Sequence, residues 1–293
     1  MNKHDVVIIG GGPAGLTAAL YLGRARRSVL VLDRGEPRHA VTAGVHNFLT
    51  RDGLPPAELR SIAWSQMATY STVERKDATV RRLVREGETW RAETDAGDFT
   101  ARAILLATGV VDEHPDIPGY RERWGHAIHH CPFCHGWESR DRPLAALVAG
   151  EFAAHYGPLL KNWSDDVVVL TNGGALPDEA RGALDAARVP IYEAKVEALE
   201  GPGRELARIR LADGTVLERQ GLFVKPDQHQ TALVQSLGVD LDDAGYVAVD
   251  MFGATSVPGV WAAGDLTTGM QQVVEAAAQG ARAGAMLVKT LSA

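Results

Sequence analysis

The stretch Asp5-Val6-Val7-Ile8-Ile9-Gly10-Gly11-Gly12-Pro13-Ala14-Gly15 decides the fold, together with LTAALYLGRAR after it and SVLVLD at 28–33. The β-branched run at 5–10 has the composition of a buried strand. Past the glycines the spacing turns helical, and 28–33 is a second apolar strand. Strand, glycine turn, helix and strand in about 30 residues make a βαβ unit with parallel strands. Gly10-x-Gly12-x-x-Gly15 occupies the turn. The first glycine permits the tight bend, the second lets backbone approach a pyrophosphate, and the third lets helix and strand pack closely. Asp33 ends the second strand about 20 residues further on, where a carboxylate reaches a ribose hydroxyl pair. A lone glycine fingerprint is weak; the strand, helix and acid around it make it specific.

Outward from this unit, a loop-rich stretch includes GVHNFLTRDGLPP at 44–56 and leads to a helix expected from Ala57 to Thr69. Residues 79–103 alternate in polarity around GETW at 87–90, the pattern of an antiparallel hairpin, and ILLATG at 104–109 is another buried strand. From Val110 the composition changes. Pro115, Pro118, Pro132 and Pro143, with five histidines between 114 and 135, mark a boundary and a functional loop. LAALVAG at 144–150, a helical stretch to Trp163 and DVVVLTNG at 166–173 repeat the βαβ pattern in shorter form. LARIRLADGTVLER at 206–219 is a hairpin around Asp213-Gly214, and LFVKPDQ at 222–228 is an exit strand and hinge. GVWAAGD at 259–265 is a strand, and 271–291 is a closely packing, small-residue helix. The expected architecture is α/β, with two Rossmann-like three-layer domains. Residues 1–112 and 227–293 form the first, and 113–226 form a domain inserted in it.

The chain's 293 residues accommodate two such domains, and 45% apolar against 23% charged residues is the balance of a globular protein. Thirty Lys+Arg against 37 Asp+Glu give a net charge of −7, which with no basic run argues against nucleic-acid and anionic-membrane partners. No apolar stretch reaches the roughly 18 residues of a membrane span. VVIIGGGPAGLTAAL has the length of a signal-peptide core, but Asp5 and three glycines favour a buried strand and turn. A cytoplasmic location is expected. Two cysteines exclude a disulfide framework and an all-cysteine zinc site.

The glycine fingerprint alone does not separate FAD from NAD(P). Ala107-Thr108-Gly109 and Ala263-Gly264-Asp265, each after a strand, resemble the two signature segments of the flavoprotein disulfide reductases with two dinucleotide-binding domains. The resemblance implies an FAD-binding first domain, with Asp265 on the ribitol or phosphate and Gln272 and Val273 opening the last helix at the flavin pyrimidine edge. A helix N-terminus suits the negative charge of reduced flavin there. The other cofactor contacts it implies are Gly10, Gly12, Pro13, Ala14, Gly15, Asp33, Arg34, His46, Asn47, Thr108 and Gly109. The bland alternative for Asp265 is a helix cap.

Cys131-Pro132-Phe133-Cys134-His135-Gly136-Trp137-Glu138 carries the second signal. A C-x-x-C beside a βαβ pattern reads as a redox pair. A bond closing so short a loop stabilises by only about 2 kcal/mol, which suits exchange better than support. Zinc is the competing reading, since His126, His129, His130 and His135 surround the pair. Structural zinc ligands come from two separated segments, and these candidates lie within ten residues, so no metal is expected. His126, His129 and His130 read as ordinary loop residues. Across essentially the whole chain the motif order resembles low-molecular-weight thioredoxin reductases. Those have Asp-Gly after the second cysteine, where this chain has His135-Gly136. The C-x-x-C-H-G-[WY]-E form is similar to thioredoxin-reductase-like dithiol oxidases of the gliotoxin and holomycin type. By that resemblance Cys131 exchanges with substrate, Cys134 faces the flavin, and molecular oxygen reoxidises it with formation of peroxide. His135 is expected to accept the thiol proton with a pKa near neutrality.

A thioredoxin reductase also needs a glycine fingerprint for NADPH in its inserted domain. Read from Val148, V-A-G-E-F-A lacks the first glycine; read from Gly150, G-E-F-A-A-H lacks both later ones. Glu151 puts a carboxylate where the pyrophosphate would sit. After the next strand VVVLTNGG offers no cation for a 2′-phosphate before Arg181. NADPH binding is therefore doubtful. The expectation is an FAD-dependent oxidase acting on a small dithiol or a thioredoxin-like protein, with a homodimer implied by resemblance. The alternatives are a thioredoxin-type reductase using NADPH or a donor such as ferredoxin, and a non-enzymatic redox or zinc-sensing module.

Overall fold

In a computed structural model describing residues 3–292, the chain begins with β1 (Lys3–Ile9), α1 (Pro13–Arg24), β2 (Val29–Asp33), α2 (Pro56–Met67) and β3 (Val73–Asp77). β4 (Val80–Glu86), β5 (Thr89–Thr94), β6 (Gly97–Leu106) and β7 (Val111–Glu113) follow. Then come α3 (Tyr120–Arg123), β8 (Ile128–His129), α4 (Pro132–His135), β9 (Leu144–Leu147), α5 (Ala153–Leu160), β10 (Val167–Leu170) and α6 (Asp178–Ala186). The remainder is β11 (Ile191–Tyr192), β12 (Val196–Glu200), β13 (Arg208–Leu211), β14 (Val216–Glu218), β15 (Gly221–Val224), β16 (Asp227–His229), α7 (Ala232–Ser236), β17 (Val260–Ala262) and α8 (Val273–Thr290). Among the described residues no helix is long and apolar enough to cross a membrane.

Two compact units emerge. The first comprises residues 1–40, 47–111 and 228–293, and the second 41–46 and 112–227. The segment 41–46 thus packs with the second unit. The connecting strands β7 and β16 pair with each other.

In the first unit the sheet runs β3-β2-β1-β6-β5-β4, with β17 also on β6. β3, β2, β1, β6 and β17 are parallel, and β4 and β5 antiparallel. The hairpin expected over 79–103 is β4–β5, but the strand at 104–109 is not separate from it. β6 continues unbroken from Gly97 to Leu106, because its free side is taken first by β5, at residues 97–101, and then by β17, at 104–106. Alternation along the strands sends Val7, Ile9, Leu30, Leu32, Ile104 and Leu106 into one core and Val6, Ile8, Val29, Val31, Ala103 and Leu105 into the other. The second core lies under α1 and α8. A Cβ on Gly280 would strike the Ala14 carbonyl oxygen, and one on Gly284 would meet Ala18, so the helices touch backbone to backbone. Each fully buried Val, Leu or Ile contributes about 1.5–3 kcal/mol, which is why both faces are apolar.

In the second unit a five-stranded parallel sheet, β11-β10-β9-β15-β8, is accompanied by an antiparallel sheet, β12-β13-β14. Here too the faces are both buried, with Ala145, Val168 and Leu222 on one side and Ala146, Val169 and Phe223 on the other. The helix expected up to Trp163 stops at Leu160.

Candidate functional site

In the first unit the glycine turn is built as the spacing predicts. Gly10 has φ 110°, and a Cβ there would strike the Ala107 carbonyl oxygen, while one on Gly15 would strike the Gly10 carbonyl. Gly12 differs. It is the N-cap of α1, makes no side-chain cap hydrogen bond, and a Cβ on it would find nothing within 4 Å. With Pro13 opening the helix and no acidic residue in its first turn, α1 directs unsatisfied amides into open space. A dinucleotide pyrophosphate fits that cradle.

The other expected contacts in this unit gather at the carboxyl ends of the same strands. Ala107 donates its amide to the Ile9 carbonyl and Ala263 to that of Leu106, which places Thr108, Gly109, Gly264 and Asp265 in line with the glycine turn. A Cβ on Gly264 would lie 3.1 Å from the Ala14 methyl. Asp265 does not cap a helix through its side chain; it opens a short 3-10 turn and pairs with Arg38 at 3.4 Å. Gln272 is the N-cap and Val273 the first residue of α8. Asp33 ends β2, is buried, lies against Gly11 and pairs with Arg60. Arg34 is exposed and pairs with Glu36 at 3.2 Å. Asn47, at φ 60°, donates its amide to Asp52 at 2.8 Å. His46 stands in the second unit.

Three residues absent from the sequence reading support this constellation. Arg60, on α2, pairs with Asp33 and donates to the Gly35 carbonyl at 3.3 Å. Arg38 joins Asp265 to Gln271, the latter at 2.6 Å. Gln279, on α8, accepts from the Gly264 amide at 2.6 Å and the Thr267 hydroxyl at 2.7 Å. Each acts across the fold from an element with no local motif.

In the second unit Cys131 and Cys134 form a disulfide, with Cα atoms 5.3 Å apart. Pro132 starts the single-turn helix α4, and Cys131 is its N-cap. The Cys134 amide donates to Cys131 Sγ at 3.1 Å, so a thiolate formed at Cys131 meets a donor already in place. Cys131 is 8% exposed, while Phe133 and Trp137 beside the pair are 61% and 65% exposed. A Cβ on Gly136 would come 2.5 Å from the Trp163 ring, so that wall admits only glycine.

His135 ends α4, and its amide donates to the Cys131 carbonyl at 3.2 Å. Burial first, and His46 second, lower its pKa to about 4, not to the neutral value expected. It is therefore a neutral acceptor across the physiological range. His129 is not a loop residue; it lies in β8, is buried, and stacks on His135 with centroids 4.1 Å apart and planes within 9°. Its Nε2 meets the His126 carbonyl at 2.8 Å, and burial with neighbouring His135 holds its pKa at about 3. The His126 ring turns to Glu205 at 2.9 Å, and Tyr156 caps the His130 carbonyl at 2.7 Å. Among the described residues no group of three or more His, Cys, Asp or Glu converges as a metal site.

The turn between β9 and α5 carries Glu151 and Phe152, both exposed, with the Lys225 ammonium 3.9 Å from the Phe152 ring centre. Phe152 is the N-cap of α5. Beyond β10, Asn172 is engaged through Oδ1 by the Val196 amide. Arg181 pairs with Glu193 at 2.7 Å. Lys195 stands beside Gly173, its stem 3.2 Å from where a Cβ on that glycine would lie, and the Gly173 amide donates to the Glu193 carbonyl at 2.8 Å.

Residues 4–280 match the model of a family described as pyridine nucleotide-disulphide oxidoreductase. The chain is 39% identical to HlmI, whose crystal structure superposes with a TM-score of 0.94 over 99% of this chain and 93% of that one. It is 34% identical to an oxidoreductase of Agrobacterium tumefaciens, with a TM-score of 0.92 and 99% of each chain covered. Thioredoxin reductase sirT of Leptosphaeria maculans is 34% identical, over 96% of this chain and 92% of that protein. The fold, the glycine turn and the Cys131–Cys134 disulfide agree with these likenesses, and the chain belongs to the pyridine nucleotide-disulphide oxidoreductase family, as a thioredoxin reductase-like flavoprotein disulfide oxidoreductase.

Proposed function

We propose that this flavoprotein oxidises a dithiol to a disulfide, with FAD as its flavin and molecular oxygen as the final acceptor. The observation that carries the reading is the contrast after two equally open glycines: Gly12 leads into the uncharged Pro13 and Ala14, whereas Gly150 leads into Glu151 and Phe152, a carboxylate and a phenyl ring. A nicotinamide dinucleotide bound at the second would face an anion competing for the same amides.

Gly10, Gly12, Pro13, Ala14 and Gly15 would hold the FAD pyrophosphate, Asp33 the adenosine ribose, and Thr108, Gly109, Gly264, Asp265, Gln272 and Val273 the remainder; Arg34, His46 and Asn47 complete the expected set. When bound, FAD supplies the two-electron acceptor for the cysteine pair. The protein's own steps are these. His135 takes the proton of a substrate thiol, and the thiolate attacks Cys131, breaking the Cys131–Cys134 bond and leaving a mixed disulfide. The second substrate thiol gives its proton to the Cys134 thiolate released by that attack, and its sulfur then attacks the substrate sulfur of the mixed disulfide and expels Cys131. The Cys134 amide stabilises this leaving thiolate. Product is a substrate disulfide, and both electrons stay on the cysteines.

The substrate class under this reading is a small dithiol or a thioredoxin-like protein, acting on a homodimer in the cytoplasm. Lys195 beside Gly173 favours a second reading, a reductase that takes its electrons from NADPH, with Lys195 as the cation for the 2′-phosphate that the linear motif does not contain; a donor such as ferredoxin is a variant of it. Anaerobic titration of the bound flavin separates the readings. Bleaching by dithiol, with peroxide on admitting air, is expected. Bleaching by NADPH and not by dithiols overturns the oxidase reading.

A further inference from the structure

We propose that Glu138 and His46 form a relay that carries the His135 proton to solvent, and that His129 holds the His135 ring in place for the transfer. The proposal rests on the dithiol reading above, in which His135 receives a thiol proton.

His135 is placed between two other imidazoles. On one side His129, from β8, lies flat against it at 4.1 Å. On the other His46, from the segment 41–46, stands edge-on at 5.9 Å and 84°. Both ring nitrogens of His135 are buried with no hydrogen-bond partner among the described residues, so a proton placed on either is held by nothing local. Its exits are unequal. His129 turns Nε2 to the His126 carbonyl, which fixes the proton on that nitrogen, and its Nδ1 is buried without a partner among the described residues. A second proton there would be a desolvated charge beside His126, His130 and His135.

The His46 side is open to charge. Its Nε2 stands 3.6 Å from Glu138 Oε1, and the carboxylate is 42% exposed while the His46 ring is 18% exposed. A carboxylate within about 4–6 Å favours an imidazolium. The groups facing His135 are thus His129 from β8, His46 from the 41–46 segment with Glu138 behind it, and the disulfide on its own turn. The outward path runs from a buried ring to a ring 3.6 Å from a half-exposed carboxylate, and from there to water. The balance is simple. The substrate S–H bond breaks, its electron pair stays on sulfur and enters the disulfide exchange, and the enzyme disulfide is the oxidant. His135 returns to neutral when the proton reaches Glu138. This gives Glu138, the last residue of the C-x-x-C-H-G-[WY]-E motif, a specific task.

The test uses Glu138→Gln, at a residue outside the expected flavin contacts, and His129→Leu. Histidine ring titration by NMR on the oxidised, flavin-loaded protein should show the His46 midpoint falling in Glu138→Gln and the His135 midpoint rising in His129→Leu. Anaerobic stopped-flow reduction by dithiothreitol should slow roughly tenfold or more in Glu138→Gln, with half-saturation unchanged and the rate restored by added imidazole or acetate. A His46 midpoint that Glu138→Gln leaves unmoved overturns the relay, as does slowing that small buffers do not rescue. An unmoved His135 midpoint in His129→Leu overturns the role of His129. If dithiothreitol fails to reduce the parent protein, the dithiol reading fails instead, and the two NMR midpoints still decide the relay.

Discussion

The two strand-to-helix turns, Ile9–Pro13 and Leu147–Ala153, are built on one plan and finish with opposite chemistry. Each follows a buried parallel strand and each opens a helix. At the first, glycines bring backbone against backbone and leave Gly12 facing empty space. At the second, Glu151 and Phe152 occupy the corresponding stretch and Lys225 covers the ring. A parallel βαβ frame supplies the direction of the amides, and the side chains of three or four turn residues set what surrounds them.

The largest expected effect comes from moving the second turn's carboxylate into the first. Gly12→Glu should cost at least about tenfold in bound flavin, through competition at the helix amides, with far-UV circular dichroism unchanged; a purified variant still fully yellow breaks the comparison. Next comes the helix that supports the first turn. Gly280→Val on α8 pushes a branched side chain into the Ala14 backbone, and urea unfolding should show a loss of about 1–3 kcal/mol. A midpoint equal to the parent's would mean the α1–α8 contact is slack.

Acid should distinguish the units next. His129 and His135 in the second unit are held at about 3 and about 4, and burial beside Arg60 and Arg38 holds His39 in the first at about 4. Folded values below the unfolded 6.5 mean that the unfolded chain binds more protons on acidification. Their stabilising share is therefore present above pH 6.5 and lost as pH falls toward 4 and 3. Between pH 7 and 5 each site should lose on the order of 1 kcal/mol. Hydrogen exchange should register a larger loss in the second unit, with two such rings, than in the first, with one. Equal protection at both pH values contradicts this.

The smallest effect sharpens the comparison from the other side. Glu151→Gly with Phe152→Gly should strengthen NADPH binding severalfold, read by quenching of flavin fluorescence, and Lys195→Ala should remove that gain. Equal NADPH binding by the parent and the double variant would mean that the second turn was never disabled by its side chains.

Much of this was legible in the linear chain because parallel strands and nucleotide turns depend on local rules. Period-two and 3.6-residue patterns placed β1, α1, β2, β10, β17 and α8, and glycine spacing located the tight turn that opens α1. The misread points share one cause. β6 was divided because its two partners come from distant segments, residues 89–94 and 260–262. Nothing local marks Lys195, because its nearness to Gly173 comes from the parallel pairing that sets β11 beside β10. Arg38, Arg60 and Gln279 carry no pattern that marks them as partners of Asp265, Asp33 and Gly264.

The histidines show where the division falls. Sequence alone determined that His135 follows a C-x-x-C and that an imidazole there suits proton transfer. Only tertiary structure decided that His129 stacks on it, that His46, paired with Glu138, stands edge-on to it, and that its pKa falls well below neutrality. A residue's chemical type is local, whereas its desolvation and its charged neighbours are sums over whatever the fold packs around it.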